Sequence, residues 1–254
     1  MIVIKRLIIF LFLVLCSLSY GGTIDPNISD QKYLDFGSKF YCVVKLCGSY
    51  NDDSLFCASG VIIDKHFILT AAHVVQGYKT CYATIDDEKF ILTDIIIHKD
   101  FNSQFGIGDI ALGYCEDGFS LNNFPPLYTD NNETGKVASI AGWGLTGNFH
   151  TGIHKSDNKL RAGSNTVDGI DKDMLVCSPS RYGHKDHTIL EYMIGSGDSG
   201  GGLFIDGKLA GINSCVIAVG RSPMSKYDEE SGHTRISKFL GWIEESKQKM
   251  LKSR

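Results

Sequence analysis

The octet Gly195-Ser196-Gly197-Asp198-Ser199-Gly200-Gly201-Gly202 runs straight into the strand-length apolar stretch Leu203-Phe204-Ile205. Ser199 stands among five glycines, so the backbone here is free to bend sharply and to aim N–H groups where side chains would forbid it. A serine hydroxyl is a weak nucleophile until a base takes its proton, and a negative charge developing beside it needs aligned donors. Glycine at 197 lets its N–H face the same point as that of Ser199. By itself the octet also fits a glycine-rich surface turn or an anion-binding loop.

Leu69-Thr70-Ala71-Ala72-His73 offers a base: an apolar strand ends in small residues that let an imidazole lie against the backbone. Histidine titrates near neutral pH and suits proton transfer. Gly108-Asp109-Ile110-Ala111-Leu112 adds a carboxylate among apolar neighbours. Its charge is costly there unless it accepts a hydrogen bond, and an imidazole N–H is a fitting donor. Alone, His73 reads as a packing residue and Asp109 as a turn residue; the set of three carries the chemistry.

Around these segments, short apolar runs recur at Phe40 to Leu46, Val61 to Ile63, Phe67 to Leu69, Phe90 to Ile97, Val137 to Ile140, Leu203 to Ile205 and Leu209 to Ile212. Turn-tolerant residues separate them, and Asp206-Gly207 between two runs predicts a hairpin. The pattern is all-β. Only the end reads as helical: Ile236, Phe239, Leu240, Trp242 and Ile243 fall at helix-face spacing before a charged continuation. The stretch Asp117 to Asn132, with Pro125-Pro126, predicts a crossover between two halves.

The chain has 254 residues, 43% of them hydrophobic, enough for a buried core and against disorder. A formal charge of −4, from 25 basic and 29 acidic residues, provides no uniform positive field for nucleic acid or anionic lipid. Twenty-eight glycines without a period, beside five prolines, exclude collagen and favour a turn-rich fold.

Lys5 and Arg6 precede the apolar run Leu7 to Leu15, and Ser17-Leu18-Ser19 offers small residues three apart. Residues 1–19 therefore read as a signal peptide, placing the protein outside the cell or in a periplasm, with no stable membrane partner. The apolar stretch is short for an uncleaved anchor. Export allows disulfides. Seven cysteines follow the leader, Cys42, Cys47, Cys57, Cys81, Cys115, Cys177 and Cys215, so at most three bridges form and one thiol is left over. Cys42 with Cys47 lacks a second cysteine pair at zinc spacing, and His150 with His154 or His184 with His187 lacks a third ligand. No metal and no organic cofactor is expected.

In the order His73, Asp109, Ser199, the three segments resemble those of the chymotrypsin/trypsin family of serine endopeptidases. Gly142-Trp143-Gly144, Gly211-Ile212-Asn213-Ser214 and Trp242-Ile243 are similar to further stretches of that family. The resemblance implies two six-stranded antiparallel β-barrels packed around a catalytic cleft, with a C-terminal α-helix. A domain over 33–254 would then hold a first barrel at about 33–120, a second at about 130–235 and a helix at about 236–252, with residues 20–32 a pro-segment or linker. It further implies hydrolysis of a polypeptide substrate through an acyl-enzyme. Ser199 would be the nucleophile, His73 the base, Asp109 the orienting acid, and the N–H groups of Gly197 and Ser199 the oxyanion hole.

The sequence departs from that family in four respects. Met193, six positions before Ser199, stands where members with tryptic specificity carry aspartate. With Ser214 and Val216 as further substrate-binding positions, cleavage after lysine or arginine is disfavoured, because a thioether cannot pair with a buried cation. Val74 replaces the cysteine that would bridge Cys57, and Gly195 replaces another half-bridge. No Ile-Val-Gly-Gly is present to pair with Asp198 as a new amino terminus; cleavage after Lys32 would release Tyr33, and the segment reads equally as plain linker. A non-catalytic binding protein on the same scaffold is the competing function, and an esterase is disfavoured by chain order.

Overall fold

The computed structural model describes residues 22–103, 106–155, 157–218 and 224–254. The signal peptide expected over residues 1–19 lies outside them. In chain order the first half forms β1 (Thr23–Ile24), α1 (Asp30–Gly37), β2 (Val43–Tyr50), β3 (Leu55–Ile62), β4 (Phe67–Thr70) and the single turn α2 (Ala72–Val75), then β5 (Tyr78–Ile85), β6 (Glu88–Ile91), β7 (Asp94–Ile97) and β8 (Ala111–Tyr114). The second half forms β9 (Val137–Gly142), β10 (Thr146–Asn148), β11 (Gly152–Lys155), β12 (Arg161–Thr166), β13 (Gly169–Asp171) and β14 (Met174–Cys177). It continues with β15 (Tyr192–Met193), β16 (Gly202–Ile205), β17 (Lys208–Ile217), β18 (Glu230–Arg235), a 3₁₀ turn (Ile236–Lys238) and α3 (Leu240–Lys252).

The first barrel has the antiparallel order β6-β5-β2-β3-β4-β8-β7. The run Phe90 to Ile97 is one strand bent at Leu92 and Thr93. Leu92 N–H donates to Cys81 O (3.0 Å) and Thr93 N–H to Tyr114 O (2.9 Å), which carries the pairing from β5 across to β8 and closes the sheet. The second barrel, β12-β9-β16-β17-β18-β14-β13, closes in the same way: Val167 N–H donates to Lys136 O and Asp168 N–H to Val176 O where β12 bends into β13. Counting each bent strand once gives six per barrel, as expected. Closure leaves few unpaired edges. Asp206 and Gly207 adopt φ of 51° and 74° between Ile205 and Lys208, the predicted hairpin.

The connection between barrels is pinned by Tyr128, whose N–H donates to Leu209 O and whose ring is buried. The C-terminal helix begins at Leu240, after the 3₁₀ turn, and buries Ile243 and Met250 against the first-barrel core.

A third sheet, β11-β10-β1-β15, was not foreseen. Its β1 runs parallel to β10 and antiparallel to β15, pairing Thr23 with Met193. The linker expected up to Lys32 is therefore ordered structure from Gly22 onward. Lys32 lies inside α1, and Tyr33, the residue expected at a new amino terminus, is fully buried with its hydroxyl 3.0 Å from the Glu191 carbonyl oxygen. Cleavage there would cut a packed helix.

Candidate active site

His73 lies in α2, just after β4; Asp109 stands two residues before β8; Ser199 sits in the loop that enters β16. The fold brings the three into one chain of contacts. His73 Nε2 is 2.9 Å from Ser199 Oγ and His73 Nδ1 is 2.8 Å from Asp109 Oδ2. Asp109 Oδ1 accepts the His73 backbone N–H at 2.9 Å, and Oδ2 accepts the Ser214 hydroxyl at 2.6 Å. With Nδ1–H donating to Asp109, Nε2 is left to accept from the serine hydroxyl. Burial alone would raise the Asp109 pKa. The imidazole's hydrogen bond and charge, the Ser214 hydroxyl and the His73 N–H outweigh it, so the carboxyl sits below its ordinary value and stays ionised.

Gly197 has φ of 92°, a conformation that side chains resist. The Ser196 carbonyl accepts the Leu145 N–H at 2.7 Å. In a trans peptide the N–H points opposite its carbonyl, so the Gly197 N–H is turned away from Leu145. Among the described residues, neither that N–H nor the Ser199 N–H has an acceptor. Ser59, fully buried in β3, fixes the loop from below. Its hydroxyl donates to Gly197 O (3.0 Å), its own N–H donates to Ser199 O (2.9 Å), and its Oγ accepts the Trp143 N–H. Nothing in the strand pattern marks this serine.

Asp198 is sealed from solvent beneath the loop. Its Oδ2 accepts N–H groups from Gly22 and Gly195, each at 2.7 Å, and its Oδ1 accepts that of Gly144 at 2.8 Å. Burial pushes its pKa up to about 6, with these donors and the Tyr192 hydroxyl offsetting only part of the cost. Gly142 is required by close approach: a Cβ there would overlap Asp198 Oδ1. The Gly142-Trp143-Gly144 stretch thus makes room for the carboxylate and donates to it.

Met193 is fully buried and packs with Phe149 and Tyr227, with Val216 against the cluster. Ser214 is committed to Asp109. Phe149 and Tyr227, which pack with Met193, come from segments without a motif, so sequence reading did not single them out. Cys57 pairs with Cys47, directly opposite on β2, with an S–S distance of 2.07 Å. Cys42, Cys81, Cys115 and Cys177 are buried free thiols and Cys215 is half-buried; burial pushes the Cys42 and Cys81 thiols up to about 12. Among the described residues no three metal ligands converge, and His187 is instead 2.8 Å from the buried Asp25.

Two closed antiparallel barrels with a serine, histidine and aspartate in contact define a chymotrypsin-like serine protease. The family model for trypsin matches residues 38–243, and the chain belongs to that family and is a serine endopeptidase. It is 28% identical over 221 residues to a chymotrypsin of Phaedon cochleariae, covering 78% of this chain and 75% of that one. It is also 28% identical over 212 residues to brachyurin of Leptuca pugilator, covering 76% and 88%. Among solved structures, HL collagenase superposes with a TM-score of 0.66 at 19% identity, over 82% of this chain and 94% of the other. Neuropsin of mouse brain gives 0.63 at 21% over the same shares.

Proposed function

We propose that this protein hydrolyses peptide bonds in polypeptide substrates through a triad of Ser199, His73 and Asp109. The 2.9 Å approach of His73 Nε2 to Ser199 Oγ carries the reading. As Ser199 Oγ attacks the scissile carbonyl, His73 takes its proton and passes it to the leaving amine. Asp109 holds the productive tautomer and favours the imidazolium. The oxyanion is met by the N–H groups of Gly197 and Ser199. Water, deprotonated by the same imidazole, then releases the acyl group.

Cleavage after lysine or arginine is disfavoured, because the position where tryptic members carry aspartate is Met193, a thioether packed against Phe149 and Tyr227. Apolar side chains are the expected preference. Export follows from the amino-terminal basic pair and apolar run, and the Cys47–Cys57 bridge suits an oxidising compartment. Gly22 supplies Asp198 with a backbone donor in the uncut chain, which supports a formed loop without cleavage after Lys32.

A fluorophosphonate probe tests the reading, since covalent capture needs an activated hydroxyl and a formed oxyanion hole. Label on Ser199 of the wild type, none on Ser199→Ala with unchanged folding, is the expected result; equal labelling of the variant would refute it. Run on a mixed peptide library, the same enzyme should cut after apolar residues.

A further inference from the structure

We propose that Asp173 is a positioning residue for Asp109, reaching from the second barrel to hold the main chain of the first; the inference rests on the triad proposed above. Asp173 immediately precedes β14, and its own backbone is fixed there, its carbonyl accepting the Arg235 N–H from β18 at 2.8 Å. From that anchor its Oδ2 accepts the Gly108 N–H at 2.7 Å. Gly108 is the residue before Asp109.

The local geometry explains why that one bond matters. Gly108 has φ of 63°, and the Ile110 N–H donates back to Gly108 O at 2.8 Å. Asp109 is thus the middle residue of a three-residue turn, and Gly108, held at its N–H, fixes the direction from which the chain enters that turn. On the other flank, Thr234 of β18 donates its hydroxyl to Asp109 O at 2.9 Å. The second barrel therefore holds the peptide after Asp109 through Thr234 and the peptide entering Gly108 through Asp173, while the Asp109 side chain contacts His73 in the first. Among the described residues Gly108 N–H has no other acceptor.

Asp173 is kept at a cost. Its second oxygen, Oδ1, is buried with no partner among the described residues, and leaving a buried oxygen unpaired is unfavourable. The hydrogen bond its other oxygen makes is to the main chain of the residue before Asp109.

The test compares wild type, Asp173→Ala, Asp173→Ser and Asp173→Asn for kcat and KM on a peptide ester, for fluorophosphonate labelling rate and for thermal unfolding. Alanine, and serine, which is too short to reach Gly108, should lower kcat and labelling rate between about tenfold and about 10²-fold with KM unchanged, the effect of a small misplacement of a catalytic group. Asparagine retains an acceptor oxygen and should restore most of the loss. Folded alanine and serine variants with wild-type kcat would overturn the inference, as would an asparagine variant as poor as alanine. A wild type that takes no label at Ser199 would end the triad reading first, and this inference with it.

Discussion

Gly22 donates its main-chain N–H to Asp198 Oδ2 across 2.7 Å, linking positions 176 residues apart in sequence. The bond joins the residue that leads into β1 to the residue beside Ser199. Asp198 has no contact with solvent, so its carboxylate is stable in place only while its donors surround it. Gly195, Asp198 and Gly197 share one tight loop, in which the Asp198 N–H donates to Gly195 O. Moving the carboxylate would move the N–H groups proposed to receive the oxyanion.

Gly22→Ala is the direct probe of this arrangement. A Cβ at position 22 would overlap the Met193 carbonyl oxygen and stand 2.7 Å from the Tyr192 ring, so β1 must shift. Losing one hydrogen bond to a buried carboxylate costs about 1.5–3 kcal/mol. The expected outcome is a fluorophosphonate labelling rate at Ser199 lower by about 10- to 100-fold, with α1 and both barrels intact by circular dichroism. Labelling at the wild-type rate would separate β1 from the active loop.

Asp109→Asn should lower turnover by about 10⁴-fold, the effect of that replacement in the best-known triad of this family. The geometry supplies the reason. Oδ2 accepts from both His73 Nδ1–H and Ser214 Oγ, and Oδ1 from the His73 backbone N–H. An amide NH₂ facing either set meets donors, and facing Nδ1 it would favour the tautomer that protonates Nε2 and blocks proton transfer from Ser199. Steady-state kinetics with an unchanged melting temperature is the measurement.

What sequence could show depended on how local each signal was. The His73, Asp109 and Ser199 segments each carry their motif within five to eight residues, and β9, β16, β17 and the Asp206-Gly207 hairpin follow period and turn chemistry. The misses are all relations between distant residues. β1 is two residues long and exists through its pairing with β10 and β15. α1 buries Tyr33 and Gly37 and packs Phe36 against the core, but it is only eight residues long and lies in a stretch read as linker. Ser59 became visible as the support of Gly197 only once β3 lay beneath the loop. The Cys47–Cys57 bridge joins residues paired across two strands, a register that counting cysteines does not contain.

Acid should weaken the fold through His233. It is fully buried, and burial pushes its pKa down to about 3 from an ordinary 6.5. Asn213 Nδ2 donates to Ala141 O, which turns Asn213 Oδ1 toward His233 Nδ1 at 2.9 Å. Between pH 6.5 and about 3 the unfolded chain binds a proton that the native chain refuses. The stability linked to this group is present above pH 6.5 and is lost below it, at about 1.4 kcal/mol per pH unit. Asp198 acts in the opposite sense. Its native pKa of about 6 lies above the ordinary 3.8, so its contribution is present below 3.8 and lost as pH rises through about 6. Urea melts of wild type and His233→Gln should therefore show a stability difference that narrows steadily from pH 7 to pH 4. A constant difference would mean that the ring is protonated inside the fold.

Arg161 provides the last prediction. Its side chain is 1% exposed, with Nε and Nη2 donating to the two oxygens of Asp30 at 2.7 Å each, and Nη1 and Nη2 to those of Asp157 at 2.9 and 2.6 Å. This clamp fastens α1 to β12. Deleting one partner of a buried pair costs about 3–5 kcal/mol because the other is left uncompensated; here the Asp30 side chain is 45% exposed and can return to water, so Arg161→Ala should cost about 3 kcal/mol in urea unfolding. Because α1 follows β1 closely in the chain, the same variant should label Ser199 more slowly, through a less firmly seated Gly22. A variant that melts early yet labels at the wild-type rate would show that β10 and β15 hold β1 by themselves, leaving α1 a purely stabilising role.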